Sequence, residues 1–115
     1  MLFRSETEGI LNADLFDRLP DGAAVINVAR GQHLVDEDLL AALNRGKVCG
    51  ATLDVFHVEP LPIDHAFWDH PNVLVTPHVA SLIDPIAGGE RIAENIKKFD
   101  AGELIADLVP QGRGY

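Results

Sequence analysis

The chain has 115 residues, 47% hydrophobic and 23% charged, with a formal net charge of −9 from 18 acidic against 9 basic side chains. That length is below the usual ~150 residues per domain and suffices for one modest core, which excludes a complete two-domain enzyme. No apolar run approaches the ~18 residues of a membrane span, no secretory pattern opens the chain, and the single cysteine, Cys49, excludes an intrachain disulfide framework; with the acidic balance against a nucleic-acid footprint, a cytoplasmic chain is expected.

Asn12 is placed to cap a short helix over 13–19, whose apolar face is Leu15, Phe16 and Leu19. Pro20-Asp21-Gly22 then breaks the chain by turn chemistry. Residues 23–28, Ala-Ala-Val-Ile-Asn-Val, form a near-continuous apolar run of strand length, as expected of a strand buried on both faces of a parallel sheet. Arg30-Gly31 ends that run. Asp36 reads as the next N-cap, with Glu37 and Asp38 adding negative charge to the positive end of a helix whose stripe is Leu39, Leu40 and Leu43. Gly46 suits its C-terminal stop. Residues 49–55 read as a second buried strand, completing a βαβ unit with parallel strands.

Residues 56–72, with Pro60, Pro62 and Pro71, read as loop with one helical turn over 66–69 in which Phe67 and Trp68 pack on the domain. A third strand follows over 73–76 and stops at Pro77. The last helix spans about 85–101, with Asp84 and Pro85 as N-cap and first residue, an Ile92, Ala93, Ile96, Phe99 stripe, a Glu94–Lys98 pair and Gly102 as its end. Gly88-Gly89 inside it costs about 1 kcal/mol per glycine relative to alanine, which a close approach by another segment or a frayed first turn would explain. The fold class expected is therefore α/β, with three or four parallel strands and flanking helices.

Parallel strands end on one edge, and open α/β sheets bind ligands there. Arg30 follows the first strand, Asp54 and Glu59 the second, and His78 the third. A guanidinium grips a carboxylate through two hydrogen bonds. A histidine gives or takes a proton near neutrality, and a neighbouring carboxylate fixes its tautomer and favours imidazolium. Such a set suits an anionic substrate that gains or loses a proton at oxygen. Each group also has a plain alternative: a surface ion pair for Arg30, a loop hydrogen bond for His78, a solvated loop acid for Glu59, and a turn cap for Asp54. His57, His65 and His70 with Asp64 and Asp69 show no HExxH or paired-cysteine spacing, so no metal site is expected. Ser81 lacks the glycines of a nucleophile elbow.

The motifs Ile26-Asn27-Val28-Ala29-Arg30-Gly31, Leu53-Asp54-Val55-Phe56-His57-Val58-Glu59-Pro60-Leu61-Pro62 and Thr76-Pro77-His78-Val79-Ala80, with Thr7–Asn12 and Leu19–Ala23 before them, resemble the D-isomer-specific 2-hydroxyacid dehydrogenases. The closing Arg113-Gly114-Tyr115 looks like the glyoxylate/hydroxypyruvate reductase A type within them. The resemblance implies the C-terminal half of a Rossmann-type doubly wound sheet over 1–101. Residues 102–115 would form a tail returning toward a substrate domain. It implies an oxidoreductase that moves hydride between NAD(P)H and a small 2-oxo or 2-hydroxy acid, homodimeric in its full-length members. Arg30 would hold the substrate carboxylate and carbonyl, His78 would protonate the carbonyl oxygen and Glu59 would support His78. Asp54 would touch the nicotinamide carboxamide, with Ala29, Arg30 and His78 beside the cofactor.

No glycines stand at G-x-G-x-x-G spacing, and Met1-Leu2-Phe3-Arg4 departs from the family pattern. A piece of a longer enzyme is therefore expected. The alternative is an inactive remnant or a self-associating half-domain, since open strand edges favour association.

Overall fold

The structure, a computed structural model, describes residues 5–81 and 83–105. The expectations that fall on 1–4 and 106–115, the Arg113-Gly114-Tyr115 match among them, lie outside the described residues. The chain divides into two compact units between Ala80 and Ser81.

In the first unit, a 3-10 turn at Ser5–Thr7 precedes helix α1 (Ala13–Arg18). Asn12 caps α1 as expected: its side chain accepts from Leu15 N at 3.2 Å and donates to Gly9 O at 2.8 Å. Strand β1 (Ala23–Asn27) leads to a second 3-10 turn at Gly31–His33 and to helix α2 (Asp36–Asn44). The N-cap of α2 is Val35, which corrects the expectation of Asp36. Val35 N is committed to Leu11 O at 2.9 Å, so the helix starts one residue earlier in its count. Asp36 becomes its first residue, turned toward His57 Nε2 at 3.8 Å and His65 Nε2 at 3.5 Å. Asp38 reaches back to accept from Ala13 N at 2.9 Å, so α2 caps the orphan donors of α1. Gly46, at φ +74°, stops α2 in the left-handed conformation that a side chain disfavours.

Strands β2 (Val48–Leu53) and β3 (Val73–Val75) complete a parallel sheet in the order β1-β2-β3. β1 and β2 register from Ala24 against Gly50 to Asn27 against Leu53, and β2 and β3 from Ala51 against Val73 to Leu53 against Val75. β1 and β3 each end one residue before the expected runs, and β2 begins one residue before and ends two residues before the expected 49–55, because ladder hydrogen bonding rather than apolarity sets the ends. The core lies on one face of the sheet, where Phe16, Val25, Leu39, Ala42, Leu43, Val48, Leu53 and Phe67 are buried together. Phe67 packs as expected, while Trp68 is half exposed and tied to Pro62 O at 2.8 Å.

Burial on both faces is not what the strands show. Ile26 is 69% exposed and Leu74 60%, whereas Val25 and Asn27 beside Ile26 are buried and Val73 and Val75 beside Leu74 pack partly buried against the core. Among the described residues of this unit, the helices α1 and α2 pack on the core side, and Ile26 and Leu74 lie on the side they leave open. The period-two pattern was masked in the sequence because the outward positions are apolar as well.

The second unit contains helix α3 (Pro85–Asp100). Asp84 Oδ1 accepts from Ile86 N at 3.0 Å, Pro85 opens the helix, Glu94 pairs with Lys98 at 2.6 Å, and Gly102 ends it at φ +69°. A Cβ on Gly88 would come within 3.1 Å of Ile83 Cγ2, whereas Gly89 faces open space, so only the first glycine answers a close approach. The Ile92, Ile96 and Phe99 stripe is exposed, and α3 is the only helix or strand among the described residues of this unit.

Two predictions follow from the packing around the β1 end. A Cβ on Gly31 would lie under 3.0 Å from the carbonyl carbon and oxygen of Phe56 and from His57 N, all backbone atoms that cannot swing aside. Gly31→Ala should therefore destabilise the fold by about 3 kcal/mol, the upper range for overpacking, read from urea unfolding; an unchanged midpoint would refute the close approach. His33 is buried at 1% exposure. That burial, reinforced by the charge of Arg30, holds its imidazole below the ordinary value of 6.5. The unfolded chain then takes up a proton that the native state resists. Stability should therefore fall as pH drops below about 6.5 and level off once the native value is passed. Unfolding midpoints across that range should slope for the wild type and flatten in His33→Gln.

Candidate active site

The carboxyl ends of the three strands lie at one level. Beyond the ladder, Asp54 N donates to Asn27 O at 3.0 Å and Thr76 N to Leu53 O at 2.9 Å, so the segments carrying Arg30, Asp54 and His78 leave the sheet side by side. That is the arrangement expected from parallel topology.

Asn27, 3% exposed, shapes the first of these segments. Its Oδ1 accepts from Ala29 N at 3.2 Å and its Nδ2 donates to Arg30 O at 3.0 Å. The Arg30 side chain is exposed on the rim and bonds Ala29 O through Nη1 at 2.7 Å, which leaves the remaining guanidinium donors of its fork available.

At the end of β2, Asp54 is only 1% exposed. Its Oδ1 accepts from the Thr76 hydroxyl and from Val79 N at 2.9 Å, and its Oδ2 accepts from Ala80 N at 2.9 Å. Burial acts to raise its pKa, but the Thr76 hydroxyl and the Ala80 and Val79 N–H groups more than offset this, so the carboxyl sits below its ordinary range. The loop it holds is tight. His78 N donates back to Thr76 O at 3.1 Å across Pro77, an inverse γ-turn that suits the fixed φ of proline. His78 itself stands at φ +52°, in the left-handed region that a non-glycine residue rarely adopts.

Glu59 and His78 meet directly: Glu59 Oε2 lies 2.7 Å from His78 Nδ1, while Glu59 Oε1 accepts from Phe56 N at 2.9 Å. The bond to His78, then the Phe56 N–H, hold the Glu59 carboxyl below its ordinary value against a smaller burial effect, and the charges of His78 and Arg30 add to the lowering. The pair is partly open to solvent, at 47% and 35% side-chain exposure. With Nδ1 on the carboxylate, Nε2 is the ring nitrogen left to exchange a proton with a ligand. A cavity of about 550 Å³ adjoins the pair, walled by Phe56, Leu61, Trp68, Val75 and Pro77.

The structure thus brings Glu59 onto His78, sets Asp54 beneath the His78 loop and leaves Arg30 on the same rim, within electrostatic reach of Glu59. His57 and His65 flank Asp36 instead, where burial pushes the Asp36 carboxyl up against the opposing charges of the two rings. His57 Nε2 also donates to Leu34 O at 2.8 Å. His70 Nδ1 accepts from Asn72 N at 3.2 Å. Two contributors were missed in the sequence, Asn27 and Thr76. Asn27 carried a signal, as the one polar residue inside an apolar strand run. Thr76 carried none, since a threonine at a strand end is ordinary.

Comparisons with known proteins agree with this geometry. The family model for the D-isomer specific 2-hydroxyacid dehydrogenase NAD-binding domain matches residues 1–80. A D-isomer specific 2-hydroxyacid dehydrogenase from Xanthobacter autotrophicus Py2, solved with NADPH and MES, is 47% identical, with a TM-score of 0.91 over 98% of this chain and 47% of that one. A family protein from Klebsiella pneumoniae 342 is 45% identical, with a TM-score of 0.85 over 96% of this chain and 35% of that one. An NADPH-dependent glyoxylate/hydroxypyruvate reductase from Sinorhizobium meliloti, solved with NADP and sulfate, is 42% identical, with a TM-score of 0.88 over 98% of this chain and 37% of that one. The chain therefore spans less than half the length of these structures. Its open parallel sheet is that of their Rossmann-type domain, and by sequence and fold the chain belongs to the D-isomer specific 2-hydroxyacid dehydrogenase family.

Proposed function

We propose that this chain supplies the catalytic edge of an NAD(P)H-dependent reductase of small 2-oxo acids such as glyoxylate or hydroxypyruvate. The observation that carries the reading is the Glu59–His78 contact at 2.7 Å on the sheet edge that also bears Arg30. In this reading the Arg30 fork binds the substrate carboxylate and carbonyl oxygen. His78, oriented through Nδ1 by Glu59, presents Nε2 as the acid that protonates the carbonyl oxygen as it gains negative charge. Glu59 stays ionised throughout the neutral range, because its pKa is lowered, and so remains an acceptor for the Nδ1 proton.

The residues present fit the nicotinamide end of a dinucleotide. Ala29, Arg30, Asp54 and His78 stand at the carboxyl ends of parallel strands, where such ligands bind; Asp54, at 1% exposure with its carboxylate engaged by Thr76, Val79 and Ala80, contributes by holding the His78 loop that would border the nicotinamide. When bound, the reduced nicotinamide supplies the hydride. The sequence holds no G-x-G-x-x-G spacing for the pyrophosphate. The NADPH and NADP named for the Xanthobacter and Sinorhizobium structures support this cofactor class. Residues 1–101 are read as part of the dinucleotide-binding domain and 102–115 as the return toward a substrate domain. No helix among the described residues is long and apolar enough to cross a membrane.

A second reading, self-association, is favoured by the apolar sheet face of Ile26 and Leu74 and by the outer edges of β1 and β3, which no strand among the described residues pairs. Homodimerisation of the complete enzyme is proposed on the resemblance alone. Sedimentation of the purified chain separates a monomer from an edge-paired species.

The purified chain is expected to show no turnover of glyoxylate or hydroxypyruvate at ordinary enzyme rates; steady-state NADPH oxidation at such rates would overturn the need for a separate phosphate-binding half. When the chain is joined to such a half, His78→Ala should lower kcat by about 10²- to 10⁴-fold, the usual worth of a positioned acid. Arg30→Ala should act mainly on kcat/KM, and Glu59→Gln should lower kcat by less than His78→Ala. Wild-type kinetics for His78→Ala or Arg30→Ala would refute the roles assigned.

A further inference from the structure

We infer that Thr76 is a positioning residue for His78, acting through the buried Asp54 carboxylate. This rests on the reading of His78 as the proton donor. His78 sits at φ +52°, a conformation a non-glycine side chain holds only when its surroundings over-determine it. The backbone N–H groups of residues 78–80 are held by two groups. Thr76 O accepts from His78 N at 3.1 Å, and the Asp54 carboxylate accepts from the two residues after His78, Val79 and Ala80. Successive N–H groups that follow a left-handed residue form a concave anion site, and here the anion is a side chain of the same chain.

The carboxylate can fill that site in one orientation only if its remaining contact is fixed. The Thr76 hydroxyl provides that contact, donating to Asp54 Oδ1 from the residue two before His78. Thr76 N is itself locked to Leu53 O at 2.9 Å, so the hydroxyl is referenced to the rigid end of β2. The loop is thereby pinned on both sides of His78 by one carboxylate, and the imidazole is delivered to Glu59. Thr76 touches no ligand in this account; it sets where Nε2 points.

The test uses the 115-residue chain. Thr76→Val keeps the shape and removes the hydroxyl, Thr76→Ser keeps the hydroxyl, and Asp54→Asn leaves one loop N–H without its acceptor. Amide exchange of Val79 and Ala80 should accelerate at least tenfold relative to the β2 amides in Thr76→Val and Asp54→Asn. The ring ¹⁵N signals of His78 should change from one dominant Nδ1–H tautomer to a mixture. Thr76→Ser should restore both. Unchanged ring signals in Thr76→Val, or no rescue by serine, would overturn the proposal. Neither readout needs turnover, so a positive result here with unchanged kcat for His78→Ala in the joined enzyme would refute the catalytic reading and leave the positioning role standing.

Discussion

The buried Asp54 carboxylate is the contact on which the site depends. A carboxylate removed from water is costly unless its oxygens are satisfied, and Asp54, at 1% exposure, takes its partners entirely from residues 76–80. The requirement works in both directions. The anion needs those donors, and the loop needs an acceptor, because its left-handed turn at His78 leaves the Val79 and Ala80 N–H groups pointing inward with no strand to bond. Each removes the other's unsatisfied polar group, and the geometry that results places the imidazole against Glu59.

Asn27 does the same work one strand over. It ends β1 buried, and its amide holds Ala29 N on one side and Arg30 O on the other. The edge therefore has a common construction: a buried polar side chain at the end of a strand captures backbone of a neighbouring loop, and Arg30 or His78 stands outward on that loop. The close approach at Gly31 adds to this, since the backbone after β1 runs against Phe56 of the backbone after β2, and only a residue without Cβ permits it. Rigidity comes from polar satisfaction and backbone contact beneath the surface, while Arg30, Glu59 and His78 remain partly open to solvent.

Much of this was legible beforehand, for physical reasons that differ by element. The Asn12 and Asp84 caps and the Gly46 and Gly102 stops rest on short-range rules and stand where those rules put them, and the three strands exist as expected with ends that differ by a residue or two. The rim of Arg30, Asp54, Glu59 and His78 followed from parallel topology alone. The N-cap of α2 was misplaced because Val35 answers to a partner 24 positions away, Leu11, which no local pattern reveals. The one-sided burial of the sheet was hidden by Ile26 and Leu74, apolar residues on the side that α1 and α2 do not cover. Thr76 was invisible because its part depends on where the Asp54 carboxylate lies, a fact of tertiary structure.

The exposed sheet face and the exposed Glu59–His78 pair have one physical meaning. A parallel sheet is stable when helices cover both faces, and a proton-transfer pair works best when water is excluded from it. This chain meets neither condition on its outer sheet face or at the 47%-exposed His78, yet the hydrogen bonds from Thr76, Val79 and Ala80 to Asp54 that fix the His78 loop are in place. Orientation of Arg30, Glu59 and His78 is thus a local property of the strand ends and is present in this chain. Enclosure is a property of whatever covers those surfaces, and under the proposed function it decides how far the oriented groups can lower a barrier.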